Sequence, residues 1–216
     1  VFVLAAESGT VRAVRNDMED VLIKPQSRAS IAGRECGNGL VIDHGEGWQT
    51  QYCHLQRGTV RVYPGDLAAR GSALGLIGIS GKTEFPHLHF TVRHNGNTID
   101  PFTGMRADAG CHSQGQPLWS GGQRVFYEEA ALYHVGFSGR VPRLLDIRQG
   151  QNDHQVLNQA VPTLILWVDM FGVQKGDSIT MRIIAPDNRV VLDHQQIVEK
   201  TQARRFISAG TPRSSL

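Results

Sequence analysis

The feature that most constrains the fold of this chain is its pattern of short apolar runs, each interrupted by Gly, Pro, Asn or Asp. Residues 10–14 (TVRAV) are typical, because polar and apolar residues alternate there as in a strand with one buried face. The sequence has no long stretch with the periodicity of an amphipathic helix. With 24 glycines available for turns, this pattern predicts an all-β protein.

The 216 residues are enough for one large domain or two small ones. We expect a first domain rich in strands over residues 1–103, a Gly-, Ser- and Gln-rich linker over 104–122, and a β-sandwich-like domain over 123–216. Because the chain opens inside an apolar run, we expect the first domain to be incomplete at its N-terminus. We expect the smaller second domain to be incomplete at its C-terminus, because its pattern is one strand short of a sandwich.

Charge and hydropathy exclude several classes of partner. The net charge is only +2 and there is no long basic run, so we expect no nucleic-acid binding. No apolar stretch reaches the roughly 18 residues that a membrane-spanning helix needs, and no signal peptide is visible in the chain. The three cysteines include no Cys-x-x-Cys motif, which argues against a structural zinc knuckle.

The most informative stretch for chemistry is FPHLHFTV at residues 85–92, which reads as the start of a strand. Alternation predicts that His87, His89 and Thr91 share one face, with the two imidazoles roughly 6–7 Å apart. This arrangement suits one histidine that binds a metal and a second that contacts a metal-bound water. The alternative interpretation is a pair of solvated histidines on an exposed strand.

A third histidine, His54, ends a predicted strand over residues 48–55, on which alternation places Trp48, Tyr52 and His54 on one face. A catalytic zinc takes three protein ligands and a water, and a nearby histidine that is not a ligand can move a proton or stabilise an oxyanion. Spacing alone does not assign these roles. Trp48 and Tyr52 are candidates for a substrate groove, with core packing as the alternative.

Two other catalytic interpretations are weaker. Recurrent glycines over residues 69–81 resemble a phosphate-binding loop, but Lys82 and Thr83 follow at the wrong spacing and no helix pattern comes next. Cys53 next to His54 could form a nucleophile and base, but adjacent strand residues point to opposite faces.

Six motifs follow one another in a fixed order over roughly residues 3–102. They are CGNGLVIDHG (36–45), WQTQYCHL (48–55), GD (65–66), GISG (78–81), FPHLHF (85–90) and DP (100–101). In this order and spacing they resemble the lysostaphin/LytM-type zinc endopeptidases, which cut peptidoglycan peptides.

The resemblance implies a mostly antiparallel sheet with the active site in a groove. It implies that His89 is a Zn²⁺ ligand, and that His54 and His87 are the non-ligand pair that acts on the water and on the tetrahedral intermediate. It also implies a peptidoglycan peptide substrate, a periplasmic or otherwise extracytoplasmic location, and possible partners among envelope proteins.

The family's other two ligands, in a His-x-x-x-Asp motif, lie upstream of the segment that residues 1–6 resemble. Two hypotheses follow: a zinc enzyme whose remaining ligands precede this chain, or a metal-free relative that activates cell-wall amidases or binds peptidoglycan without cleaving it. The retained histidines favour the enzyme, since a metal-free relative has little chemical reason to keep all three. Asp17 and Asp20 are weak substitutes as ligands. A third and weaker alternative is a carbohydrate- or peptide-binding protein that acts through its second domain.

Because enzymes of this type act in the oxidising envelope, the resemblance also favours a disulfide between Cys36 and Cys53. Such a bond would contribute about 3 kcal/mol by closing its loop. Two buried thiols are the alternative. Cys111, in the linker, is expected to be an unpaired thiol or to pair with a cysteine outside this chain.

Overall fold

The computed structural model describes residues 1–22, 30–109, 115–120, 125, 127–148, 157 and 161–215. Its regular secondary structure is nearly all β-strand, and every ladder between the described strands is antiparallel, which confirms the predicted fold class. The chain divides into two compact units, Val1–Val125 and Phe126–Leu216. The finer predicted division into residues 1–103, 104–122 and 123–216 stays a prediction.

The first unit is built on a six-stranded sheet with the strand order β5-β2-β3-β4-β7-β8, beside a two-stranded ladder of β1 and β6. The strands are β1 Phe2–Leu4, β2 Gly9–Arg15, β3 Asn38–Gly45, β4 Trp48–Leu55, β5 Leu67–Ala68, β6 Ala73–Leu76, β7 His89–His94 and β8 Asn97–Ile99.

One face of the large sheet forms the core of this unit, where Leu40, Ile42 and Tyr52 pack with Leu74. In the ladder between β4 and β7, Tyr52 faces Phe90 and both side chains pack in this core. Alternation sends the intervening side chains to the other face, which we call the polar face. It is defined on β4 and β7 by Gln49, Gln51, His89, Thr91 and Arg93.

The hairpin between β7 and β8 turns at Asn95 and Gly96, as the Asn-Gly pair predicts. Both residues have positive φ, 48° for Asn95 and 79° for Gly96. Two consecutive residues with positive φ are what a two-residue turn of type I′ requires. The turn therefore fixes the register of β7, which carries His89.

The second unit contains two small sheets, in the orders β13-β10-β9 and β11-β12. Side chains from β10, including Leu166 and Val168, pack with Met181 and Ile183 of β11 in one core, so the unit is a small β-sandwich. None of the helices in the described part of the chain is long and apolar enough to span a membrane. The strands and the helix of the second unit are β9 Ala131–Ser138, α1 Leu144–Arg148, β10 Thr163–Val173, β11 Ser178–Ile184, β12 Val190–Ile197 and β13 Gln202–Pro212.

Candidate active site

His89 is the first residue of β7 and is exposed on the polar face, opposite Cys53 in the ladder with β4. Its Nε2 lies 3.2 Å from Thr91 Oγ1, one alternation step along the same face. The predicted strand start was wrong by several residues, because residues 85–88 are irregular and only His89 has entered the strand. The predicted sharing of one strand face by His87, His89 and Thr91 therefore fails for His87.

His54 lies beside His89 because β4 contains a bulge. The ladder between β3 and β4 pairs Leu40 with Tyr52 but Asn38 with Leu55, so Cys53 and His54 together oppose Gly39. His54 has a φ of 64°, in the left-handed region. Its ring centroid is 5.8 Å from that of His89. The predicted placement of His54 on the face of Tyr52 is therefore wrong, because the bulge reverses the alternation.

The three predicted histidines come together at this bulge. The ring of His87 lies 4.8 Å from the ring of His54, and the ring of Phe85 stacks on His87 at 4.4 Å between centroids. His87 is partly buried, whereas His54 is only 5% exposed. The cluster is therefore built from a bulge, a strand end and an irregular segment.

The backbone holds the His54 ring in one tautomer. His54 Nδ1 lies 2.8 Å from the carbonyl oxygen of Ser80, and a carbonyl can only accept, so Nδ1 carries the proton. Burial lowers the pKa of His54 to about 4; the bond to Ser80 opposes this shift, and the charges of protonated His87 and His89 add to it. At neutral pH the ring is uncharged, and its Nε2 keeps a lone pair that can accept a proton.

A disulfide joins Cys36 to Cys53 across 17 residues, so the predicted pairing is present. It ties the segment before β3 to the bulge, where His54 N–H also donates to the carbonyl of Cys36 at 2.8 Å. Because Cys53 is in this bond, it is not the nucleophile of a Cys-His pair. The predicted state of Cys111 falls outside the described residues.

A second backbone contact joins the segment before β3 to the loop that precedes β7. Lys82 N–H donates to the carbonyl of Glu35 at 2.8 Å. Gly81, with a φ of 80°, lies so close that a Cβ there would be 2.4 Å from backbone atoms of Glu35 and Gly37. The segments on both sides of His54 are therefore packed backbone to backbone, which only glycine permits at this position.

The two groove candidates, Trp48 and Tyr52, do not lie beside His89. Tyr52 is 1% exposed and belongs to the core, where its hydroxyl accepts from the N–H of Ala6 at 2.8 Å. Trp48 stacks on His94 with 4.2 Å between centroids, and the register puts it on the face of Tyr52. The residues that do share the face of His89 on these two strands are Gln49, Gln51, Thr91 and Arg93. Alternation counted forwards from His89 identifies Thr91, but the partners on β4 require the register of the ladder.

The described residues do not complete a zinc site by themselves. Within the part of the chain that the structure describes, no group of three His, Cys, Asp or Glu side chains is arranged to hold a metal ion, whereas a catalytic zinc takes three protein ligands. Asp20, a weak ligand candidate, instead accepts from the backbone N–H groups of Arg57 at 2.6 Å and Ile79 at 3.0 Å. These bonds fix the loop that leads to β7.

Comparison with known proteins agrees with the motif resemblance. Residues 2–101 match the model of Peptidase family M23. The chain is 39% identical over 72 residues to the peptidoglycan DD-endopeptidase ShyB of Vibrio cholerae, covering 33% of this chain and 16% of that protein. It is 30% identical over 90 residues to the cell division protein DipM of Caulobacter vibrioides, covering 38% of this chain and 14% of that protein.

Among solved structures, a zinc-containing peptidase from Vibrio cholerae is 31% identical, with a TM-score of 0.34, over 47% of this chain and 25% of that one. The chain thus spans less than a fifth of the length of ShyB and DipM. The family match covers the strands and motifs that carry the histidine cluster. Residues 2–101 therefore match Peptidase family M23, which confirms the resemblance of this part of the chain to the lysostaphin/LytM-type endopeptidases.

Proposed function

We propose that the first unit is the peptidase part of a zinc-dependent endopeptidase that hydrolyses peptide bonds in peptidoglycan cross-links. The observation that carries this proposal is that three histidine rings lie close together. The ring centroid of His54 is 4.8 Å from that of His87 and 5.8 Å from that of His89. The match of residues 2–101 to a peptidase family supports the reaction class. Similarity to ShyB, a peptidoglycan DD-endopeptidase, supports peptidoglycan as the substrate.

His54 is the proposed general base. Its Nε2 accepts a proton from the attacking water as the water oxygen bonds to the scissile carbonyl carbon, and the proton then passes to the leaving amine nitrogen. The bond from Nδ1 to Ser80 fixes the ring, so little reorganisation is needed during the reaction. Because the pKa of His54 is lowered to about 4, the ring is in the basic form at neutral pH.

His87 is proposed to stabilise the negative charge that develops on the substrate. Its Nδ1 lies 3.0 Å from the carbonyl oxygen of Phe85, which accepts its proton. In the imidazolium form, the Nε2–H of His87 can donate to the oxygen of the scissile carbonyl as negative charge develops there. The 4.8 Å between the rings of His54 and His87 allows both to contact one carbonyl group and its attacking water.

His89 is the zinc ligand that this chain contributes in the proposal. Zinc, when bound, would polarise the carbonyl and lower the pKa of the water. The other ligands are assigned to the family's His-x-x-x-Asp motif, which the 216 residues do not contain. The Cys36–Cys53 disulfide supports an oxidising, extracytoplasmic location such as the periplasm.

A second candidate function is the metal-free binding module, with which the name of one relative is compatible, since DipM is named a cell division protein and not a peptidase. In this alternative, the unit binds peptidoglycan or an envelope amidase without cleaving peptide bonds itself. The full gene sequence discriminates the two, since the enzyme requires a His-x-x-x-Asp motif upstream and the binding module does not.

The direct test is digestion of purified peptidoglycan sacculi by the protein made from the complete reading frame, with muropeptides quantified by liquid chromatography and mass spectrometry. We expect cross-linked dimers to fall and uncross-linked stem peptides to rise. His54→Ala and His87→Ala should abolish this change. His94→Ala is the matched control, because His94 is on β7 but stacks on Trp48, away from His89.

Unchanged sacculi after incubation with zinc-saturated wild-type protein would refute the peptidase. If the same protein then stimulated a purified amidase on those sacculi, the second candidate would replace it. Equal cleavage by wild type and both histidine variants would refute the roles assigned to His54 and His87.

A further inference from the structure

Thr83 is a buried threonine four residues before His87, with only 3% of its surface exposed. Its Oγ1 lies 2.7 Å from the carbonyl oxygen of Phe85, 3.3 Å from the backbone nitrogen of Phe85 and 3.1 Å from Nδ1 of His87. A threonine hydroxyl has one proton to donate and two lone pairs to accept with. These three contacts therefore use its entire hydrogen-bonding capacity.

The direction of each bond follows from its partners. The Phe85 carbonyl can only accept, so the Thr83 hydroxyl donates its proton there. Toward His87 the hydroxyl can then only accept, which requires a proton on Nδ1. The Phe85 carbonyl itself lies 3.0 Å from the same Nδ1 and imposes the same requirement. Both neighbours of Nδ1 thus require a proton on that atom in the neutral ring and in the imidazolium form alike. In the neutral ring Nε2 then carries no proton, and in the imidazolium form Nε2 carries the proton that can be donated.

We propose that Thr83 is a positioning residue that holds His87 in the Nδ1–H tautomer and in a fixed orientation, so that Nε2 is the atom presented to the reacting group. This inference rests on the proposed function of His87. Thr83 acts in two ways: it accepts from the ring directly, and it fixes the Phe85 carbonyl that is the second acceptor.

The same segment orients the other proposed catalytic ring. The Ser80 carbonyl accepts from Nδ1 of His54, and the Ser80 hydroxyl donates to the carbonyl of Leu55 at 2.7 Å and accepts from the N–H of Asn38 at 2.8 Å. Ser80 is completely buried. Residues 80–83 therefore hold both imidazoles in the same tautomer. The segment is itself held in place by the hydrogen bonds of Ser80 to β3 and β4.

Thr83 differs from Ser80 in what its bonds connect. All the bonds of the Thr83 hydroxyl are to Phe85 and His87, within four residues of the chain. The Ser80 hydroxyl instead links residues that are 25 and 42 positions away. Loss of the Thr83 hydroxyl should therefore change His87 while leaving the fold of the unit nearly unchanged, which separates a positioning role from a structural one.

The test uses the 216-residue chain with ¹⁵N-labelled histidine. Long-range ¹H–¹⁵N correlation spectra at one fixed neutral pH distinguish the two neutral tautomers, and the His87→Gln spectrum assigns the signals of His87. The variants are Thr83→Val, which removes the hydroxyl at nearly constant volume, Thr83→Ala, which cannot clash, and Thr83→Ser, which keeps the hydroxyl. Thr98→Val, at an exposed position of β8, is the matched control.

We expect wild type, Thr83→Ser and Thr98→Val to show His87 as the Nδ1–H tautomer. Thr83→Val and Thr83→Ala should show a mixture of tautomers or exchange-broadened His87 signals. The His54 signals should stay unchanged in every variant and serve as an internal check of folding. A His87 spectrum that is the same in wild type, Thr83→Val and Thr83→Ala would overturn the proposal.

Cleavage of sacculi gives an independent second readout, with the protein from the complete reading frame. Thr83→Val should lower kcat about 10–100-fold with KM nearly unchanged, and Thr83→Ser should restore most of the rate. If the wild-type protein cleaves nothing, the proposed function fails while the spectra still decide the positioning of His87. If the spectra change as expected but kcat does not, the catalytic relevance of Thr83 is refuted.

Discussion

His54 and His89 lie on the same side of the large sheet, with 5.8 Å between their ring centroids, although strict alternation along β4 would separate them. Cys53 is the ladder partner of His89, so its neighbour His54 should point to the opposite face. The bulge opposite Gly39, and the φ of 64° at His54, turn the ring around. The candidate active site therefore depends on a local backbone irregularity, which the surrounding contacts must stabilise.

The stability of the first unit should depend on pH through His54. Its pKa is lowered from 6.5 to about 4 in the folded state, mainly by burial. Between these values the unfolded chain binds more protons than the folded one, so stability rises with pH across this window. The contribution of His54 to the free energy of unfolding is up to ~3 kcal/mol and is fully present above about pH 6.5. It decreases as the pH falls from 6.5 to about 4, and below that pH it does not change further.

Urea unfolding at pH 4.5 and pH 7.5 measures this effect when wild type is compared with His54→Gln. The other titrating groups are common to both proteins, so the difference between their pH dependences isolates His54. The variant should lose less stability than wild type at the lower pH. Parallel pH profiles for the two proteins would contradict the lowered pKa.

The sequence indicated the general architecture because alternation and turn chemistry are local. The Asn95-Gly96 pair predicted a hairpin, and the hairpin is present with both residues at positive φ. The bulge at His54 was missed because positive φ is uncommon for every residue except glycine, so a histidine in a strand pattern does not by itself predict left-handed backbone. Gly39 was the available signal, since a glycine inside a strand often marks a bulge, and a Cβ there would lie 2.1 Å from the Tyr52 carbonyl oxygen.

Gly81 should be far less tolerant of substitution than Gly96. Both have φ near +80°, so Gly81→Ala and Gly96→Ala share the cost of a left-handed alanine, about 1 kcal/mol. Only at Gly81 would the new Cβ meet backbone, 2.4 Å from atoms of Glu35 and Gly37, whereas nothing lies within 4 Å at Gly96. We expect Gly81→Ala to lose at least ~2 kcal/mol more in urea unfolding. Equal losses would show that the two backbone segments are not packed as described.

Reduction of the Cys36–Cys53 bond should destabilise the first unit. The bond closes a loop with a sequence separation of 17, which corresponds to about 3 kcal/mol in the chain-entropy account. The double variant Cys36→Ser/Cys53→Ser should show the same lower unfolding midpoint with and without reductant, while wild type should lose stability only when reduced. Identical masses of alkylated wild type before and after reduction would show that these cysteines are not paired.

The second unit contains a buried carboxylate, Asp169, whose loss should be costly. Its fully buried side chain accepts from the hydroxyl of Tyr133, from Arg148 Nε at 3.2 Å and from a guanidinium nitrogen of Arg204 at 3.4 Å. Asp169→Asn would leave two largely buried guanidinium groups without their carboxylate, at about 3–5 kcal/mol. Asp193→Asn, in the exposed pair with Arg182, is the matched control and should cost no more than about 1 kcal/mol. Similar losses in the two variants, by thermal unfolding, would refute the buried network.

The candidate site was only partly accessible from sequence. The motifs singled out His54, His87 and His89, and the structure brings the three rings together. The faces assigned by alternation failed for His87, which precedes β7, and for His54, which lies in the bulge of β4. Tyr52 lies in the core, which was the alternative to a substrate groove. The acceptors that orient the rings could not be found from spacing, since the Ser80 carbonyl reaches His54 across 26 residues through the packing of the loop.

The central claim is that His89 belongs to a zinc site while His54 and His87 act on the substrate without binding the metal. The most direct test is zinc stoichiometry by elemental analysis, with cross-link cleavage measured on the same samples of wild type, His87→Ala and His89→Ala from the complete reading frame. We predict one equivalent of zinc in wild type and in His87→Ala, no cleavage by His87→Ala, and loss of both zinc and cleavage in His89→Ala. A wild-type protein without zinc, or His87→Ala with undiminished turnover, would contradict the account.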